Sequence, residues 1–434
     1  MGGQGLPTIN CTLSTVVAEE CILQGFLAAL GTVLVVLVGL QVDATQTYRP
    51  LFVAGLLVVL SFFIGEAFGR ARLPRAVGCV LVGMVLGPEG FRLMESDVSG
   101  QLELLEALAL GWVGFRLGVA SYGSKEVWRS SVCIAASVVA ASFIGTSLVL
   151  WVSRVPFTFA LLLGTIAAAA APLVISSMQD HGERRGNSLE LSIAICASGL
   201  VLLLWIGVMG GLQITHSRWI PATIWIPGLK FIGAVGLAVA LSRMFGFLLY
   251  RGLFGLILLS VWFIAFHLLL ASETALFLFA ATMGIALPRG DQEHQKERIG
   301  LGRPLAEMAA LFLFAFLGAR MRFRFVQTTS FLWLAAGIYL ATMVGSKVVA
   351  IYAGRSMLKT AGLRMRDGAA CFLPQLFLPL ALIAATEAQL SDVPGFKKLS
   401  DGFGHIAYWG VLWGSLIFPI IVRVKREGKA TPTE

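Results

Sequence analysis

The chain has 434 residues, of which 57% are hydrophobic and only 13% charged, with a formal net charge of +9 and a mean hydropathy of +0.84. A soluble domain of this length cannot hide that much apolar surface, so the composition excludes one and predicts an integral membrane protein. The positive balance does not imply nucleic acid, because the cations fall in short clusters between apolar runs, as loops on one side of a bilayer do. Cys11, Cys21, Cys79, Cys133, Cys196 and Cys371 are scattered without C-x-x-C spacing, which argues against structural zinc and a disulfide framework.

In chain order, residues 1–20 read as an N-terminal tail. Its uncharged start and Glu19-Glu20 are the wrong front end for a signal peptide. About 14 apolar segments follow, each long enough to span or nearly span roughly 30 Å of hydrocarbon. They are 21–41, 51–68, 76–92, 104–121, 131–152, 157–178, 188–212, 226–249, 252–271, 273–288, 304–321, 330–353, 368–386 and 403–423, and 424–434 is a basic tail. Connections are short, which predicts one helical membrane unit over 51–423, preceded by an extra span at 21–41. Alternate loops, from Arg70/Arg72/Arg75 through Arg355/Lys359/Arg364/Arg366 to the tail, hold twenty cations against nine in the loops between them. That asymmetry predicts an even number of spans with both termini in the cytoplasm, and the expected location is the plasma (inner) membrane. If 21–41 does not cross, thirteen spans remain and the N-terminus moves outside.

The run Leu73-Pro74-Arg75 to Gly87-Pro88 carries Gly78, Gly83 and Gly87 at short spacing. Small residues at such intervals let membrane helices approach closely. Two later segments carry prolines inside apolar runs: Pro172 in 164–177, and Pro374 and Pro379 around Gln375. Proline removes a backbone donor and crowds the preceding turn. Each of the three is read either as a simple kink or as the break of a discontinuous helix. Breaks in matching halves of a transporter point to a binding site at the midplane.

Ionisable residues inside spans are costly and mark function by default. Lys347 lies within the twelfth segment and Arg116 in mid-span of the fourth. Lys347 reads equally as a structural tie for broken-helix carbonyls and as a functional group. Arginine does not shed its charge, so Arg116 must face a partner or water. Glu190 and Glu307 are the nearest counter-ions by depth, although Glu307, one turn past Arg303, also reads as a surface acid. His267 is the histidine well inside a span, either a proton relay or a group hydrogen-bonded across helices. Glu273 falls at a boundary, and Lys230 reads as a snorkelling interface residue. No P-loop, no G-x-G-x-x-G joining strand to helix and no H-E-x-x-H is present, so nothing points to an enzyme, a metal site or a cofactor.

From residue 51 onward the order of segments resembles the monovalent cation:proton antiporter superfamily, of the sodium/hydrogen exchanger type. The resemblance rests on the Leu73–Pro88 run, on Leu108 to Gly118, on the Pro172 segment with Asp180 to Arg184 after it, on Phe312 to Gly318 and Gly345-Ser346-Lys347, and on the Pro374 segment. It implies an all-α fold of inverted repeats with two broken helices crossing at the midplane, a core domain, a dimerisation domain and a homodimer. One departure is sharp. Family members that move Na⁺, K⁺ or Li⁺ against H⁺ carry an Asp where this chain has Ala197 and Ser198. The Thr/Ser–Asp stretch usual in the first broken helix is Ala168 to Ala171 here. A serine hydroxyl can ligate a cation but does not exchange it for a proton near neutral pH.

The resemblance thus implies alternating-access antiport of a monovalent cation and protons, around a site drawn from Ser198, Ala197, Pro172, Gln375 and Lys347, with Glu190 or Glu307 in place of the missing acid. Two alternatives stay open. One is an anion or uncoupled solute pathway on the same fold, suggested by Arg116 and Lys347. The other is a transport-dead sensor or scaffold.

Overall fold

The computed structural model describes residues 49–70, 75–88, 90–94, 96–121, 125–170, 172, 188–216, 222–248, 253–270, 273–287, 292–321, 330–360, 377–391 and 402–415. The tails, the 21–41 segment, Pro374, Gln375 and most of the basic loops lie outside the described residues.

Every regular element among the described residues is helical. In chain order they are α1 (Arg49–Arg70), α2 (Arg75–Leu86), α3 (Ser96–Gln101), α4 (Glu103–Ala120), α5 (Lys125–Val152), α6 (Phe157–Ala168), α7 (Ser188–His216), α8 (Ala222–Leu248), α9 (Leu253–Leu270), α10 (Glu273–Ala286), α11 (Gln292–Arg320), α12 (Ser330–Thr360) and α13 (Phe377–Ser391), then α14 (402–415). Four stretches among them are long and apolar enough to cross a membrane by themselves: Arg49–Arg70, Trp128–Val152, Glu190–Leu212 and Phe331–Tyr352. The protein is an integral, multi-pass membrane protein.

Several boundaries differ from those expected, each for a local reason. α2 stops at Leu86 rather than near residue 92, because Gly87-Pro88 opens a turn in which the Phe91 amide donates to the Val85 carbonyl at 2.7 Å. Arg92 then takes a positive φ of 56°. α11 begins at Gln292, twelve positions before the apolar run, because the polar stretch ahead of it continues the same helix. α6 ends at Ala168, where Ala169 turns extended at φ −63° and ψ 146°. Proline accounts for this end. Pro172 has no amide to offer the Ala168 carbonyl, and its ring disfavours helical geometry in the residue before it.

The helices pack as two bundles. The first joins α1, α2, α3, α4, α9, α10 and α11, with α4 laid against α10 and α11, and α2 against α11. The second joins α5, α6, α7 and α12, with α5 packed against α6, α7 and α12, and α13 lies between the bundles, touching α6 of the second and α10 and α11 of the first. α14 closes on this second bundle, for a Cβ at Gly410 would meet the Tyr339 ring of α12, and Phe403 stacks on Phe159 of α6. α8 connects the two, touching α10 on one side and α7 on the other. Otherwise the bundles meet sparsely. One link is the Ser192 hydroxyl of α7, which donates to the Ser121 carbonyl at the end of α4 at 2.8 Å.

Candidate functional site

The break in α6 sets the site. A continuous helix would consume the Ala169 carbonyl in an i→i+4 hydrogen bond. Here the break frees it, and the Lys347 ammonium of α12 donates to it at 2.6 Å. Lys347 is only 1% exposed, so its long side chain lies wholly inside the second bundle. Of the two readings of Lys347 offered by the sequence, this contact is the tie to broken-helix backbone. α6 packs on α7 as well as on α12, which sets α7 and its Ala197-Ser198 pair along the same helix that breaks.

Ala197 and Ser198 are both buried. The Ser198 hydroxyl donates to the Ala194 carbonyl of its own helix at 2.8 Å. Pro172 is buried beside the break, and Pro379 is buried in the first turn of α13, a position where a missing amide costs little. Gln375 and Pro374 fall outside the described residues.

Glu190 is buried in the first turn of α7, two residues before the Ser192 link to the first bundle. Arg116 and Glu307 belong elsewhere. Arg116 of α4 faces Glu307 of α11 at 3.6 Å, with 28% and 48% of their side chains exposed. That pair joins two helices of the first bundle, whereas Lys347 and Ser198 belong to helices of the second.

The sequence reading missed a second pair on the same two helices. Arg320 Nη1 of α11 donates to Oε1 of Glu106 of α4, which is 1% exposed, at 3.2 Å, and Nη2 lies 3.2 Å from Oε2 as an ion pair. The guanidinium also lies over the Phe316 ring, 4.6 Å from its centroid. A charge-assisted hydrogen bond to a buried carboxylate is stronger than a neutral one. The signal was present but weak: Glu106 is a carboxylate near the start of an apolar segment, and Arg320 is a cation at the end of another. Glu on α4 meets Arg on α11 at one end, and Arg on α4 meets Glu on α11 at the other, so the two pairs specify an antiparallel register.

The expected packing glycines sit at helix crossings. A Cβ on Gly83 would fall on the Ala315 carbonyl of α11, one on Gly87 would come to 2.9 Å from the Ala319 carbonyl oxygen, and one on Gly78 to 3.1 Å from the Ile64 carbonyl oxygen of α1. His267 is buried with Nδ1 unbonded among the described residues, and Lys230 is exposed. The Glu273 side chain is outside the described set. Among the described residues no three His, Cys, Asp or Glu side chains converge.

With this geometry in hand, comparison with known proteins is decisive. A family model described as the sodium/hydrogen exchanger transmembrane domain matches residues 55–422. The chain belongs to the sodium/hydrogen exchanger family. Its fold is similar to that in a three-dimensional electron-microscopy map of the sodium proton antiporter MjNhaP1 from Methanocaldococcus jannaschii, with TM-score 0.67 and 16% identity over 88% of this chain and 98% of that one. A structure of the same antiporter at pH 8 gives TM-score 0.64 and 15% identity over 89% and 98%. A search of curated proteins finds no match.

Proposed function

We propose that this family member exchanges a monovalent cation for protons by alternating access, the second bundle moving against the first around the α6 break. We place the proton on Glu190. The observation that carries this reading is the position of Glu190: a carboxylate buried in the first turn of α7, next to the Ser192–Ser121 link where the bundles meet. A carboxylate there can hold either a proton or a cation, and competition for it couples the two fluxes. Glu307, half exposed and facing Arg116, is the poorer candidate. Membership of the family supports a homodimer in a plasma or inner membrane, with 51–423 as the transport unit and the termini in the cytoplasm.

The test is cation-driven pH change in proteoliposomes holding a trapped pH dye, challenged with Na⁺, K⁺ and Li⁺. Wild type gives cation-dependent signals, Glu190→Gln abolishes them, and Glu307→Gln keeps them. Unchanged exchange in Glu190→Gln overturns the assignment of the acid. A flat trace from well-folded wild type discards proton-coupled cation exchange, and anion flux then separates an anion pathway from a transport-dead module.

A further inference from the structure

At the corner where α1 gives way to α2, two arginines share one carboxylate. Glu66 lies 2.7 Å from Nη2 of Arg75 and 3.7 Å from Nε of Arg70. Both guanidinium side chains stay well exposed, Arg75 at 42% and Arg70 at 57%. One positive charge is therefore left over at this corner. Arg75 is also held in place. It lies across Gly69, where a Cβ would come to 3.0 Å from its Nε, and that Nε is buried with no hydrogen-bond partner among the described residues. Arg75 opens α2, an end at which the helix dipole disfavours a cation, and the first turn of α2 carries no acid to offset it.

Helical register shows what the corner borders. At 100° per residue, Val59, Phe62, Glu66 and Arg70 fall within about 80° of one another around α1. Val59 and Phe62 are exposed, at 43% and 53%, on a helix long and apolar enough to cross a membrane. The same stripe ends on Glu66 and on Arg70, the last residue of that stretch. Four residues of helix rise about 6 Å, so these charges sit where hydrocarbon gives way to headgroups. The stripe is apolar along its length and cationic at its end. An acidic phospholipid has the matching distribution, with tails for Val59 and Phe62 and a negative headgroup for the guanidinium groups. A soluble anion has no use for the apolar part.

We propose that Arg70 and Arg75 bind the headgroup of a phospholipid of net negative charge, whose acyl chains lie along Val59 and Phe62. Glu66 competes with the headgroup for both arginines and so sets its affinity. Arg70 and Arg75 belong to the cation-rich loops expected in the cytoplasm, the side whose leaflet carries acidic lipid. This site is independent of Glu190 and of transport, and its test involves no flux.

The test uses the purified full-length protein in detergent, with thermal unfolding followed against added phosphatidylglycerol and against phosphatidylcholine of the same acyl chains. Phosphatidylglycerol raises the unfolding temperature beyond phosphatidylcholine, and its concentration dependence gives an apparent dissociation constant. An arginine near an acidic headgroup contributes about fivefold in binding, so Arg70→Gln and Arg75→Gln each weaken the constant by about that factor. Arg75→Lys, which keeps the charge, binds nearly as wild type does. Glu66→Gln, which removes the competitor, binds more tightly. Arg154→Gln, at an exposed arginine beyond α5, leaves the constant unchanged. Equal responses to the two lipids overturn the proposal. Soluble glycerol phosphate reproducing the effect overturns it in favour of a free-anion site. Weakening in Glu66→Gln reduces the corner to an internal ion pair, and weakening in Arg154→Gln reduces it to net charge; either result also overturns the proposal.

Discussion

The two bundles make close contacts in different ways. In the first, glycines bring backbone onto backbone: Gly83 onto Ala315, Gly318 onto Val80, Gly118 onto Ala281 and Gly284 onto Phe115, all at carbonyl oxygens. In the second, glycines mostly meet side chains, such as Ser346 at Gly145, the Tyr339 ring at Gly410 and Met343 at Gly414, while Gly199, Gly207 and Gly211 of α7 meet nothing within 4 Å. Charge is handled differently too. The first bundle pairs side chain with side chain across α4 and α11. The second ties a lysine to a carbonyl freed by a helix break. Backbone contacts and paired charges resist sliding, whereas side chains can change rotamer and a backbone tie can be exchanged. On the proposed alternating-access reading, this casts the first bundle as the fixed frame and the second as the element that moves.

The largest expected effect breaks the frame. In Gly118→Ala the new methyl lands on the Ala281 carbonyl, and backbone cannot yield as a side-chain end does. The expected cost is about 3 kcal/mol. It is read as loss of monodisperse protein or a fall in unfolding temperature. Tolerance of alanine at Gly118 would show that the α4–α10 seam is not rigid.

A smaller effect sharpens the charge comparison. Glu106→Gln removes the buried partner of Arg320, and a cost of about 2 kcal/mol follows, below the full buried-pair value because Arg320 reaches the surface. Glu307→Gln removes the half-exposed partner of Arg116 and costs under about 1 kcal/mol. The two are compared by thermal unfolding in detergent at low and high salt, and salt narrows only the Glu307 effect. Equal costs would mean that burial does not distinguish the two pairs.

These features were unevenly legible in the sequence. Pro172 announced the break, because proline's missing amide and fixed φ act wherever the chain goes. Gly83 and Gly87 announced a close crossing, because small residues spaced along an apolar helix have little other use. Neither named its partner helix, since α11 lies more than 200 positions downstream. For the same reason Glu106 and Arg320, 214 residues apart, read as two unrelated boundary charges. Arg116 and Glu307 were both singled out, but sequence depth alone could not tell a bundle seam from a transport site. The buried hydroxyls of Ser142, Thr146 and Ser147 on α5, without a hydrogen-bond partner among the described residues, were invisible, because serine and threonine in an apolar helix normally satisfy themselves.

The smallest effect tests the open side of the comparison. Gly207 lies in mid-helix on α7, exposed and with free space where a Cβ would go. Alanine there removes backbone entropy from the unfolded chain and collides with nothing, so Gly207→Ala stabilises by about 0.5–1 kcal/mol. The same substitution chemistry then has opposite signs at Gly118 and Gly207, which separates glycine as a spacer from glycine as an uncompensated weakness in a helix. Unfolding temperature gives the sign, and the proteoliposome assay gives the meaning. Stabilisation with unchanged exchange assigns the open face of α7 to lipid. Stabilisation with slowed exchange shows that α7 must flex at Gly207 as the second bundle moves, and would make the glycines of α7 part of the transport cycle rather than of the packing.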